Sequence, residues 1–456
     1  MTGRNSSDRE RSRIAKAMVV LICAIPIIAT LAYGAVDSWT FGLLSIPVAI
    51  IALLWVADAW TSGEFEYNTS TLQLPILALI IIGSIQLLPL GSREGAGLLD
   101  APILQTLTMD PYATRLFVIK LLMYFVFFAS ALAYLPGGKR VSRIAIVLVT
   151  FGTLMAFFGI LQRLATSDSI YGMRPTPQAI PFGTFVNQHH FAALMEMMSG
   201  LALGLLFGGG VTRERKLLLG MAAAIMGIAI VFTGSRGGLV SYLGVIAFAA
   251  VASFGGATDA NHAGHDSRSR MRRNLLVMTA AGGLVLLVLG SVLFLGGEAS
   301  LLRGIGLQNV QSDVTSGRAH FWGIGWQIFL SNPIIGSGFD SFGVAFTRYD
   351  TWNGQFRVEQ AHNDYLQTLA DGGLLGFACV ATFIVILVKK GTTAVSRKTS
   401  DINRSVSTGA LAGCFGILIH SFFDFPLRTP ANAFFFLLFV VLAVGHSSAS
   451  KSSRGS

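Results

Sequence analysis

LFVIKLLMYFVFFASALAYLPGGKRVSRIAIVLVTFGTLMAFFGILQR, residues 116–163, holds two long apolar runs joined by a short gap that carries Lys139, Arg140 and Arg143. Each run is of the order an α-helix needs to cross bilayer hydrocarbon, about 20 residues. Lys and Arg collect on the cytoplasmic side of such spans, so this gap reads as an inner loop.

Working outward in both directions, the pattern repeats along the whole chain. Apolar runs centre on residues 17–33, 41–57, 72–90, 116–135, 144–161, 191–207, 217–232, 239–254, 275–295, 374–388, 410–423 and 431–445, the last three being the shortest. With 53% hydrophobic and 12% charged residues in a chain of 456, a soluble fold is excluded. The fold class is therefore an all-α polytopic membrane protein of about twelve transmembrane helices, one membrane domain over residues 1–456 without a convincing internal repeat. The first run follows a basic segment, as a signal peptide would, but it is long for a signal core and reads as a retained helix.

Every second gap is basic except residues 61–71, which carry no Lys or Arg. With the N-terminus inside, the inner gaps hold 22 of the 33 Lys and Arg, which places both termini in the cytoplasm. The net charge of +10 is accounted for by these loops facing an anionic leaflet, and no basic stripe interleaved with aromatics points to nucleic acid. Cys23, Cys379 and Cys414 all fall in apolar runs, without metal-ligand spacing. The inner loop before the ninth run carries His262 and His265, which no Cys or carboxylate cluster completes into a metal site.

The largest polar interruption, residues 296–373, lies outside between the ninth and tenth runs. Within it, RAHFWGIGWQIFL sets Phe321, Ile324 and Ile328 at helical spacing and Trp322 four residues before Trp326. That suits a helix lying at the membrane surface, ended by Asn332 and Pro333. Further on, EQAHNDYLQTLADGG reads as a short helix with Leu366 and Leu369 on the face of His362, closed by Gly372 and Gly373.

Nine arginines break the charge rule by lying outside: Arg93, Arg163, Arg174, Arg236, Arg303, Arg318, Arg348, Arg357 and Arg428. Arg236, in the very short turn TGSRGGLV, sits at the rim of the hydrocarbon, where an unpartnered charge is costly. Arg318 opens the surface helix, whose N-terminal N–H groups add positive potential. A planar guanidinium suits phosphate, which it grips through two parallel hydrogen bonds. Arg163, Arg174 and Arg428 are weaker candidates. His362, beside Gln360, Asn363 and Asp364, is the candidate base, since imidazole accepts a proton near neutral pH. His189 and His190 open the sixth run on the same face. Glu196, two turns deeper, needs a partner, and Lys120 in the fourth run is a candidate. Gly200 and Gly204 suggest a groove between helices for a lipid chain. The chain holds no P-loop, outer DxD pair, GxSxG or HExxH, so neither nucleotide hydrolysis nor a dedicated metal site has support, and no cofactor is expected.

Three segments, GTFVNQHHFAALM, TGSRGGLV, and SGRAHFWGIGWQIFLSNPIIGSGFDSFG followed by QAHNDYLQTLADGGLLG, together resemble the O-antigen ligase and O-antigen polymerase superfamily of bacterial envelope polysaccharide assembly. The resemblance covers about residues 180–380. It implies a GT-C-like, multi-pass inner-membrane glycosyltransferase working at the periplasmic face without metal. The donor it implies is an undecaprenyl-diphosphate-linked glycan, attacked with inversion by the hydroxyl of a glycan or lipid-linked acceptor. It implies Arg236 and Arg318 as diphosphate binders and His362 as the activating base. Asn187 and His190 match the polar start of the family's corresponding helix and line the site, with Asn363 and Arg163 as further lining candidates. The superfamily includes ligases that act on lipid A core or on protein hydroxyls and polymerases that join repeat units, and the segments do not separate them. The rival class is a transporter of bicarbonate or of a lipid-linked glycan. It would set its ionisable residues near the midplane, whereas these gather at the outer rim.

Overall fold

The computed structural model describes residues 3–90, 106–165, 169–177, 179–255, 271, 274–287, 290, 317–352, 358–396 and 401–445. The inner loop with His262 and His265, the arginines Arg93, Arg303 and Arg357, the end of the ninth run and the first part of the outer stretch lie outside the described residues.

Every apolar run becomes a helix. In chain order these are α1 (Gly3–Leu31), α2 (Ser38–Ser62), α3 (Gln73–Gln86), α4 (Pro111–Tyr134), α5 (Gly138–Leu164), α6 (Gln188–Phe207), α7 (Arg213–Thr233) and α8 (Arg236–Gly255). α9 (Asn274–Leu287) follows. Then come α10 (Arg318–Ser331), α11 (Phe342–Tyr349), α12 (Asp364–Ser396), α13 (Asp401–His420) and α14 (Pro430–Val444). Among the described residues nine helices are long and apolar enough to cross a membrane, and α3, α9 and α14 are shorter apolar helices. The protein is thus an all-α, multi-pass membrane protein.

The shortest runs in the sequence do not give the shortest helices. α12, at 33 residues, is the longest of all. It absorbs the short helix expected after His362 and continues into the membrane span across a kink at Gly373 (φ 61°, ψ −162°). α13 begins nine residues before its apolar run, because its first turns bury Asn403, Ser405, Ser407 and Thr408 against other helices rather than facing water. Hydropathy misses such turns, since it counts polarity and not burial.

α6 and α13 form the centre. Nearly every residue of α6, most of α13 and all of α14 are buried, whereas α1, α2 and α5 expose apolar faces, with Leu53, Val56 and Leu154 among the most exposed residues. Such exposure suits lipid. The two central helices meet along glycines. A Cβ on Gly200 would stand 2.6 Å from the Gly413 nitrogen, and one on Gly409 2.6 Å from the Gly200 carbonyl oxygen. Without side chains there, the backbones approach closely enough for extensive van der Waals contact, which drives helix association where lipid already satisfies apolar surface. Gly200 and Gly204 therefore hold a helix crossing, and the lipid groove expected beside them is filled by α13.

Several helix ends expected to lie outside meet at one end of the bundle: the starts of α6, α8, α10, α12 and α14 and the end of α13. The bend between α13 and α14, residues 421–429, runs through the middle of this group and touches most of them.

Candidate active site

His362 precedes α12 with φ 52°, a left-handed backbone that few residues other than glycine adopt. The sequence placed it on the helix face with Leu366 and Leu369. The helix instead starts after it, capped by Asn363, whose Oδ1 accepts from the Tyr365 and Leu366 amides at 3.1 Å each. The buried face of this first part of α12 is Gln367, Ala370 and Asp371.

Asp424, on the α13–α14 bend, reaches the His362 ring, with Oδ1 3.1 Å from Nδ1. Its carboxylate is fully buried, and Oδ1 also accepts from the Phe425 amide at 3.0 Å. Burial pulls its pKa upward, but the hydrogen bond from His362 and the nearby His189 and His190 imidazoles prevail and hold it well below the usual carboxylate range. An ionised carboxylate only accepts hydrogen bonds. The His362 Nδ1–H therefore donates to Asp424, so that in the neutral ring Nε2 is the nitrogen that carries the lone pair. The His362 side chain is 30% exposed, which leaves the ring accessible from outside.

Arg318, the first residue of α10, approaches the other Asp424 oxygen at 3.9 Å. That is an ion pair too long for a hydrogen bond, and Asp424 Oδ2 has no hydrogen-bond partner. Arg318 thus shares the Asp424 carboxylate with His362, and among the described residues no hydrogen bond commits its guanidinium. Arg236 is exposed at the first turn of α8. Ser235 caps that helix by accepting from the Gly238 amide at 3.1 Å. Next to Arg236, Gly237 lies flat against Phe423 and the His420 ring, where a Cβ would be 2.8 Å from Phe423. Arg236 thereby enters at the same bend that holds Asp424.

His190 is buried at the opposite side of the bend. Its Nδ1 is 2.6 Å from Thr429 Oγ1, and its backbone carbonyl accepts from Asn432 at 3.0 Å. The Phe425 ring stands edge-on to both His190 and His362, at 4.9 and 4.8 Å between ring centres. Asn187 caps α6 through the His189 amide at 2.8 Å, so its part is to start that helix. Arg163 is exposed at the end of α5, and among the described residues no hydrogen bond or ion pair joins it to the site. Arg174 is held by Asp37 at 2.8 Å and lies over the Tyr33 ring, which ties its loop to the start of α2. Of the two tryptophans of α10, both remain half-exposed while Ile324 and Ile328 are buried, as the spacing required.

Two pairings differ from expectation. Glu196 pairs with His420, Oε1 to Nδ1 at 2.8 Å, both fully buried. Lys120 approaches Asp340 instead, at 3.8 Å. Beside that pair lies a network absent from sequence reasoning. Arg428 donates to Asp340 at 2.6 Å and to Asp371 at 2.9 Å, and Gln367 donates to Asp371 at 3.1 Å. Arg428, a weaker candidate in the sequence, is thus the clamp joining the bend to α12 and to the loop before α11. Asp424 is the main omission. Its only signal was its position four residues after His420, on the polar side of a helix end.

Residues 221–381 match the family model for O-Antigen ligase. That stretch contains Arg236, Arg318 and His362 and ends before Asp424 and Arg428. The resemblance to the O-antigen ligase and polymerase superfamily holds over this part of the chain. No curated protein matches the sequence.

Proposed function

From an O-antigen ligase stretch that brings two arginines and a histidine to one end of a membrane bundle, we propose a glycosyltransferase acting on a glycan linked through diphosphate to a polyprenol. The observation that carries this reading is the His362–Asp424 pair with Arg318 on the same carboxylate.

The chemistry follows from the groups present. An acceptor sugar hydroxyl attacks the anomeric carbon of the donor while His362 Nε2 takes its proton. The bond from that carbon to the diphosphate oxygen breaks, with its electron pair leaving on the diphosphate. Arg318 and Arg236 bind that group and stabilise the charge that develops on it, as a metal ion would elsewhere. Asp424 fixes the tautomer and steadies the imidazolium formed, as a positioning residue. One displacement at the anomeric carbon inverts its configuration, and the products are the extended acceptor and a polyprenyl diphosphate. We place the reaction at the periplasmic face of a bacterial inner membrane, where such carriers present their glycans, with undecaprenol as the carrier.

The test is transfer by purified protein from a defined undecaprenyl-diphosphate glycan, with the products sized. His362→Ala should lower the rate by about 10²–10⁴-fold, the usual share of a general base. Arg236→Ala should lower transfer as well, and both variants should insert normally. Wild-type glycan length and amount in both variants would overturn the assignment.

A further inference from the structure

The bend at 421–429 has two faces, and the site described above uses one of them. On the other, a cavity of about 290 Å³ opens between α3, α4, α12 and α14. At one end it is lined by Lys120, Asp340, Gln360, Asp364 and Arg428. Elsewhere the wall is almost wholly apolar, with Ile76, Leu79, Phe383 and Leu437. Leu437 lies seven residues into α14 from Pro430, about 10 Å along the helix, so the apolar part runs down between the spanning helices. The size is near the lower end of ligand pockets, about 300–1,000 Å³.

The polar end is built for a ligand with both donors and acceptors. Gln360 Oε1 is buried without a hydrogen-bond partner. Lys120 pairs with Asp340 at 3.8 Å and stands 5.8 Å from the centre of the Phe41 ring, and among the described residues neither contact is a hydrogen bond, so its donors can still meet another acceptor. A buried acceptor and an ammonium lining one cavity suit hydroxyl or phosphate oxygens, and the apolar wall suits hydrocarbon. Since that wall belongs to apolar helices of the membrane bundle, its hydrocarbon comes from the bilayer.

None of Arg236, Arg318, His362 or Asp424 lines this cavity. The bend divides the two spaces. Asp424 and Phe425 face His362, whereas Ser421, Leu427 and Arg428 face the cavity. Asp364 lines the cavity two residues after His362, so the two spaces meet at the start of α12. We propose that this cavity holds the chain of a second lipid, the anchor of the acceptor, and so delivers the acceptor hydroxyl to His362 past the start of α12, through a space that neither Arg236 nor Arg318 lines. The naming of the occupant as acceptor rests on the transfer reading, and the presence of a lipid-chain site does not.

The binding test uses the full chain in phosphatidylglycerol nanodiscs with a polyprenyl phosphate that carries a diazirine near the end of its chain. Photolabel is expected on the cavity walls of α3, α12 and α14. It should be lost in Cys379→Trp, which fills the cavity, and kept in Cys379→Ser and in Arg236→Ala. Label that persists in Cys379→Trp, or that lies on peptides away from the cavity in the unmodified protein, overturns the proposal. The second outcome decides it even where Cys379→Trp does not fold. In the transfer assay, Cys379→Trp should raise KM for a lipid-anchored acceptor and leave a water-soluble acceptor glycan of the same sugar unaffected. Equal loss with both acceptors overturns the anchor role. A chain that transfers no glycan but shows the label defeats the transfer reading alone.

Discussion

His362 and Asp424 stand 62 residues apart, and their pairing orients the imidazole on which the proposed base chemistry depends. The depressed pKa of Asp424 has a direct consequence for stability. Its native value lies below the unfolded value of about 3.9, so the ionised group stabilises the fold fully above that pH, and the stabilisation is lost as pH falls through the native value. Asp424→Asn removes this dependence. The variant should melt below the wild type at neutral pH, with the gap narrowing below about pH 4. Melting curves of the detergent-solubilised protein check this, and a gap that stays constant into acid contradicts it. Arg236 and Arg318 stood out in the sequence because a charge at an outer rim is conspicuous among apolar neighbours, and His362 because it lies among Gln360, Asn363 and Asp364 near a helix start. Asp424 was not, because a carboxylate after a helix end looks like any solvated turn until helix packing buries it. Glu196 was legible as needing a partner, but the choice between Lys120 and His420 depends on which helices touch, which local periodicity does not encode.

At the scale of elements, α12 carries the most specific geometry. Its first two turns and its spanning part meet at Gly373, in a region of backbone space essentially confined to glycine. A Cβ there would also run into the Ile334 carbonyl. Gly373→Ala should therefore cost about 1–3 kcal/mol and shift the first part of α12, which carries Gln367 and Asp371. Thermal unfolding gives the cost. Transfer should fall more than the loss of folded protein explains, because His362 and Asp364 begin that segment. All twelve apolar helices were legible from run length, which is a statement about the bilayer as solvent more than about this chain. The glycines of α6 were legible as an interface but read as a groove, since spacing alone shows that something approaches closely and not whether it is lipid or another helix.

For the whole molecule, the alternation of basic gaps predicts that both termini and the α7-side loop at Arg213, Arg215 and Lys216 face the cytoplasm. The site then faces outward. Single cysteines introduced at Thr212 and at Gly234, in a variant without native cysteines, should react with an impermeant maleimide in intact cells only at position 234. Labelling at position 212 would reverse the orientation and with it the periplasmic assignment.

The central pairing of α6 with α13 also sets a timetable. During synthesis α6 enters the membrane about 200 residues before His420, Asp424 and Arg428 exist, so Glu196 waits without its imidazole and the glycine stripe without its mate. Only when the last two spans insert do the ion pair, the helix crossing and the bend at 421–429 form together. On the proposed function, activity therefore waits until translation is nearly finished, and a chain released early carries an uncompensated carboxyl at Glu196.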